Sequence, residues 1–134
     1  MSRSIPRPVQ LFLALIIVAT AYTLLQTPPA EYGNLTVDEA KSLIESKPDL
    51  VIFDVRTPSE YEDGHIKDAI NIPVDELEGR LGELDPGDEL LVYCRTGNRS
   101  TRAVRLLEEN GFTKVLHMDG GVVAWGEAGY SLVQ

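Results

Sequence analysis

The sequence predicts an α/β domain with a central, mostly parallel β-sheet and helices on both faces. Leu50–Phe53 is a continuous apolar run, Leu90–Tyr93 reads as another buried strand, and Val115-Leu-His-Met118 reads as a final strand. Such runs belong to strands buried on both sides, as in parallel sheets. Segments with helical periodicity and clear start and stop signals separate them, so strands and helices alternate along the chain.

The elements follow from local signals. Thr36-Val-Asp-Glu39 is a capping box, and Val37, Ala40, Leu43 and Ile44 recur at helical spacing through Lys47, where Pro48-Asp49 ends the helix. After the Leu50 strand, a second box, Thr57-Pro-Ser-Glu60, has proline at the first helical position and opens a short helix that Gly64 closes. Ala69–Ile72 reads as a short strand. Val74–Leu84 reads as a helix with Val74, Leu77, Leu81 and Leu84 on one face. Asp85-Pro-Gly-Asp88 is a turn leading into the Leu90 strand, with Cys94 at that strand's carboxyl end. A helix runs from about Ser100 to Asn110 and stops at Gly111. The Val115 strand is followed by Gly120-Gly121 and a short helix through Trp125.

Composition narrows the function. The 134 residues, 43% apolar and 25% charged, suit one globular domain of ordinary size. One cysteine excludes an internal disulfide, and one cysteine with two histidines argues against a zinc site; no metal is expected. A net charge of −9 argues against nucleic-acid binding, which needs a basic face.

The charge is unevenly placed. All 21 acids and ten of the twelve bases lie in residues 31–134, a net of −11, while residues 1–30 hold only Arg3 and Arg7. A short basic head before the run Leu11–Leu25 reads as a signal peptide or membrane anchor. The apolar heart would span roughly 22 Å as a helix, short of a ~30 Å hydrocarbon core, and its uncharged flanks bring it close to a full span. Ala19-Thr20-Ala21 offers a small-x-small cleavage pattern. Residues 1–30 are thus expected to be a cleaved signal, or an anchor touching the membrane through residues 9–25, with a Pro-rich tether. The folded domain is expected at 34–134, on the extracytoplasmic side.

Against the acidic background, Arg95, Arg99, Arg102 and Arg105 fall within eleven residues just after Cys94. Ligands of open α/β sheets bind outside strand carboxyl ends, and the N–H groups of a loop entering a helix converge on an anion. A cysteine in that field has its thiolate favoured, which makes Cys94 the candidate nucleophile. Arg99, Arg102 and Arg105 sit at the amino half of their helix, and Glu108 and Glu109 at its carboxyl end. The helix dipole prefers the reverse by about 0.3–1 kcal/mol per charge. Anion binding explains that arrangement better than helix stability does. Arg95 and Arg99, inside the loop, are assigned to substrate; Arg105 and Arg102 are more simply explained by solvated ion pairs such as Arg105 with Glu109. Cysteine phosphatases wrap their tetrahedral group in a C-x5-R loop. Here the arginine arrives as C-x4-R and Ser100 stands in its place. The shorter cradle suits a smaller guest, such as one anionic sulfur on the cysteine.

The chain resembles the rhodanese domains, a sulfurtransferase family, over about residues 34–129. The resemblance rests on Asp54-Val-Arg56, Glu60-Tyr61, Gly64-His-Ile66, Ala69-Ile-Asn-Ile-Pro73, the Cys94–Ser100 loop, and Gly120-Gly121 with Trp125. It implies a rhodanese-like fold and a Cys94 persulfide, with no cofactor. Cys94 would take sulfur from a small anionic donor such as thiosulfate and pass it to a thiophilic acceptor, cyanide or a thiol. The N–H groups of Arg95, Thr96, Gly97, Asn98 and Arg99 would hold the anionic sulfur. An arginine directly after the cysteine resembles thiosulfate-using members. Asp54 and Arg56, with Arg56 placed to pair with Glu60, are supporting residues, as is Ser100. His65, His117 and Trp125 read as architectural. The alternative is a persulfide carrier or binding module that delivers sulfur to a partner protein.

Overall fold

Five strands form one parallel sheet in the order β1-β5-β4-β2-β3. They are β1 (Asn34–Leu35), β2 (Val51–Asp54), β3 (Ile70–Asn71), β4 (Leu90–Tyr93) and β5 (Val115–Met118). The computed structural model describes residues 6–25 and 33–134. The chain divides into two units, Met1–Glu31 and Tyr32–Gln134.

In the first unit, helix α1 covers Arg7–Leu25. Among the described residues no helix is long and apolar enough to cross a membrane, which corrects the expectation of an anchor through residues 9–25. Helix α1 has 19 residues, about 28 Å at ~1.5 Å per residue, and its first turn holds Arg7 and Gln10, which leaves less than a full ~30 Å apolar span. Arg3 and most of the Pro-rich tether lie outside the described residues.

In the second unit, β2, β4 and β5 are the inner strands and each is covered on both faces. Leu90, Val92 and Cys94 of the β4 segment point to one face with Phe53, Val55 and Val115. There they meet Leu77, Ala103 and Leu107 from the helices of that side. Leu91 and Tyr93 point to the other face with Ile52, Leu116 and Met118, and pack with Ala40 and Trp125. Both faces are dry, so neither needs polar residues.

Helices α2 (Val37–Ser46) and α3 (Pro58–Asp63) each begin at a complete capping box. In each, the threonine side chain accepts from the glutamate N–H while the carboxylate accepts from the threonine N–H. Helix α5 (Asn98–Glu109) starts two residues before the expected point. Gly97, at φ +118°, turns the chain straight from loop into helix, a conformation that favours glycine. The helix expected over 74–84 is replaced by a single turn, α4 (Leu77–Arg80), and a 3-10 turn at Leu81–Glu83. Gly79 and Gly82 each weaken a continuous helix by about 1 kcal/mol. Helix α6 covers Gly121–Glu127. Strand β1 has no counterpart in the sequence reading; it pairs Asn34 with His117 at the sheet edge.

A buried ion pair closes the carboxyl end of β2. Asp54 is fully buried and Arg56 is 5% exposed. Arg56 donates from Nε and Nη2 to the Asp54 carboxylate at 2.7–3.1 Å, and from Nη2 to the Gly64 carbonyl at 2.6 Å. Asn71 bridges the Asp54 and Arg56 carbonyls. The pair thus locks β2, β3 and the end of α3 together. Removing one partner strands a buried charge, so Arg56→Met should lower stability by about 3–5 kcal/mol. Urea denaturation checks this, and an unchanged midpoint would mean that the pair braces nothing.

Candidate active site

Cys94 ends β4, the central strand, and is 1% exposed. Its Sγ accepts from the Gly97 N–H at 3.1 Å and lies 3.3 Å from Ser100 Oγ, a donor. Burial pushes the thiol up, but hydrogen bonds from the Ser100 side chain and the Ser100, Gly97 and Thr96 N–H groups outweigh it. The net direction is down, toward the thiolate.

Helix α6 aims the loop. The Val122 and Val123 N–H groups donate to the Cys94 and Arg95 carbonyls at 3.0 and 3.2 Å. In a trans peptide the next N–H points the opposite way, so the Arg95 and Thr96 N–H groups turn away from α6. Gly121 makes this approach feasible. A Cβ there would lie 2.4 Å from the Cys94 and Arg95 carbonyl oxygens, closer than any side chain is tolerated.

The arginines are engaged differently from the sequence expectation. Arg99 makes a bidentate pair with Glu60, at 2.7 and 2.8 Å. The expected Arg56–Glu60 pair is absent because Arg56 folds back onto Asp54, while Glu60 is shared between Thr57 and Arg99. Arg102 pairs with Asp75. The Arg95 side chain, Thr96 and Asn98 are exposed at the loop rim, and Gly97 and Ser100 are buried beneath them. The field at Sγ therefore comes first from oriented N–H groups, with Arg99 held nearby but partly neutralised.

His65 lies with Tyr61, its ring stacked at 3.7 Å and Nδ1 2.9 Å from the Tyr61 carbonyl, which fits an architectural role. His117 is the residue that sequence reasoning undervalued. Its Nε2 lies 2.7 Å from Ser100 Oγ and its Nδ1 3.0 Å from Asn34 Oδ1, which links the sheet edge to the cysteine pocket. The available signal was its position on the strand beside β4.

A match to the rhodanese-like domain family spans residues 36–128, most of the second unit. The chain belongs to the rhodanese-like domain family. A sulfurtransferase of Allochromatium vinosum is 35% identical over 85 residues, covering 63% of this chain and 79% of that protein. A Bacillus subtilis protein named as a candidate sulfur carrier, YrkF, is 36% identical over 92 residues, covering 69% of this chain and half of that protein. Among solved structures, a rhodanese-related protein of Thermoplasma volcanium superposes with a TM-score of 0.69 at 32% identity, covering 76% of this chain and 98% of that one. The rhodanese fold expected from the sequence is thus the fold observed.

Glu60 gives this rhodanese domain a defined acid response. The Arg99 guanidinium, with help from Thr57 and against partial burial, holds the Glu60 carboxyl down to about 2 from 4.5. A depressed carboxyl contributes stability above its unfolded value and loses it as pH falls toward the folded one. The wild type should lose about 1 kcal/mol between pH 4.5 and 2 through this group, a modest figure because the pair is partly solvated. Urea midpoints of Glu60→Gln across that range should lack this component; parallel acid limbs would remove Glu60 as its source.

Proposed function

We propose that the chain is a sulfurtransferase that moves a sulfane sulfur through a persulfide on Cys94. The observation that carries this reading is a buried thiol at a strand end, surrounded by N–H and O–H donors that favour its thiolate. The Cys94 thiolate attacks the outer sulfur of thiosulfate. That sulfur's bond to the sulfonate group breaks, and sulfite leaves with the electron pair. An acceptor, cyanide or a thiolate, then attacks the outer sulfur of the Cys94 persulfide and restores the thiolate. The Gly97 and Thr96 N–H groups stabilise sulfur charge throughout, as donors do in an oxyanion hole. Arg95, exposed at the rim, attracts the donor's anionic end, and Arg99 adds to the field from its pair with Glu60.

A second reading, a carrier that hands its sulfur to a partner protein, is favoured by the name of the Bacillus subtilis relative. One experiment addresses both. The full chain is incubated with thiosulfate and its intact mass recorded before and after cyanide. One added sulfur, lost on cyanide and missing from Cys94→Ser, is expected. No adduct on the wild type, or an adduct on Cys94→Ser, would overturn the persulfide reading. Loading without turnover to cyanide or small thiols would favour the carrier.

We also propose that residues 1–30 act as an export address and carry the domain out of the cytoplasm. The support is their charge pattern, two arginines and no acid before an apolar run. Fractionation of cells making the full chain should find the domain outside the cytoplasm; recovery wholly in the cytosol would overturn this.

A further inference from the structure

Ser100 is fully buried, and its hydroxyl has one proton for three neighbours. Those neighbours are Cys94 Sγ at 3.3 Å, the Gly97 carbonyl at 3.0 Å and His117 Nε2 at 2.7 Å. One proton serves one acceptor best, so its direction is a choice. His117 decides that choice. Its Nδ1 faces the Asn34 Oδ1 acceptor and therefore carries a proton. A neutral His117 then presents a bare Nε2, and the Ser100 hydroxyl donates to it. A protonated His117 donates from Nε2 to Ser100 Oγ and leaves the hydroxyl proton for a charged Sγ, since the Gly97 carbonyl already accepts from the Thr101 N–H and hydroxyl.

We propose that His117 is a positioning residue that binds a proton when Cys94 is a thiolate and releases it when Cys94 carries sulfur. In the thiolate state, charge sits on Sγ and the donors run from His117 through Ser100 to the sulfur. Once a second sulfur is attached, the negative charge moves to the outer atom. Sγ, now bonded to carbon and sulfur, no longer draws the hydroxyl. Ser100 turns to Nε2, and His117 gives one proton to solvent. Delivery of the sulfur reverses each step.

The surroundings suit such a device. Burial holds His117 below the ordinary histidine value, and Asp119, in the turn after β5, and the Gly97 backbone oppose that. From β1 comes the neutral Asn34, from α5 the neutral Ser100, and from the end of β4 the Cys94 sulfur. Of these three neighbours, Cys94 is the one whose charge changes as sulfur is gained and lost, and it reaches His117 through the Ser100 hydroxyl. Linkage makes the effect reciprocal, so the His117 proton favours the thiolate as much as the thiolate favours that proton.

This inference rests on Cys94 as the sulfur-bearing nucleophile, but its main test needs no sulfur donor. Ring-proton NMR of the full chain follows both histidines against pH in the reduced protein, in Cys94→Ser and in the sulfur-loaded form. His117 should titrate at higher pH in the reduced protein than in the other two. Alkylation of Cys94 with iodoacetamide gives a second readout. His117→Phe should slow it by up to about tenfold at acid pH, where His117 holds its proton, and the ratio to wild type should shrink as pH rises, since what is lost is one charge-assisted hydrogen bond. His117→Gln, which keeps a donor near the Nε2 position without titrating, should restore most of that rate. Identical His117 titrations in the reduced protein and Cys94→Ser would overturn the proposal, even if His117→Phe fails to fold. Failure to load sulfur, with that titration difference intact, would instead count against the persulfide reading.

Discussion

A peptide group is planar, so a loop cannot aim several N–H groups at one sulfur without sending the matching carbonyls elsewhere. Here the amides at the start of α6 take the carbonyls of Cys94 and Arg95, and Thr101 takes that of Gly97 with both its N–H and its hydroxyl. The loop, α6 and the first turn of α5 are one construction. Gly121 supplies the close approach and Gly97 the turn into α5. Trp125, packed with Ala40 and Met118 under the sheet, keeps α6 where its amides are needed. The apolar core on that face therefore sets the geometry at the sulfur.

Electrostatics around this construction is short-ranged by design of its pairings. Residues 31–134 carry −11, a body that repels anions. The arginines near Cys94 do not simply cancel it, since Arg99 and Arg102 are each matched by an acid from another element. What remains directed at Sγ is a set of fixed dipoles. Dipole fields fall off faster than those of charges, so they act on the group bonded to Cys94 more than on a donor in transit. In the proposed reaction, capture of the donor from solution falls to Arg95, exposed at the rim.

What was legible in the sequence was local. Both capping boxes, the three inner strands and the Cys94 loop rest on patterns within a few residues, and the structure has each of them. What escaped was set by partners distant in the chain. Glu60 looked nearest to Arg56, yet its partner Arg99 is 39 residues away. His117 meets Asn34 across 83 residues, through a strand of two residues that no periodicity could announce. The helix expected at 74–84 failed for a different reason. Its apolar stripe is present, but the glycines at 79 and 82 weigh against a continuous helix.

The sheet has one more consequence. Its inner strands run for four residues each, whereas β1 and β3, at the two edges, have only two. An edge that short exposes few unpaired backbone groups, too few to template another strand. Among the described residues the edges thus offer little ladder for β-augmentation. In the proposed delivery of sulfur to a partner protein, docking then falls to loops and helices, and specificity for that partner is written in side chains.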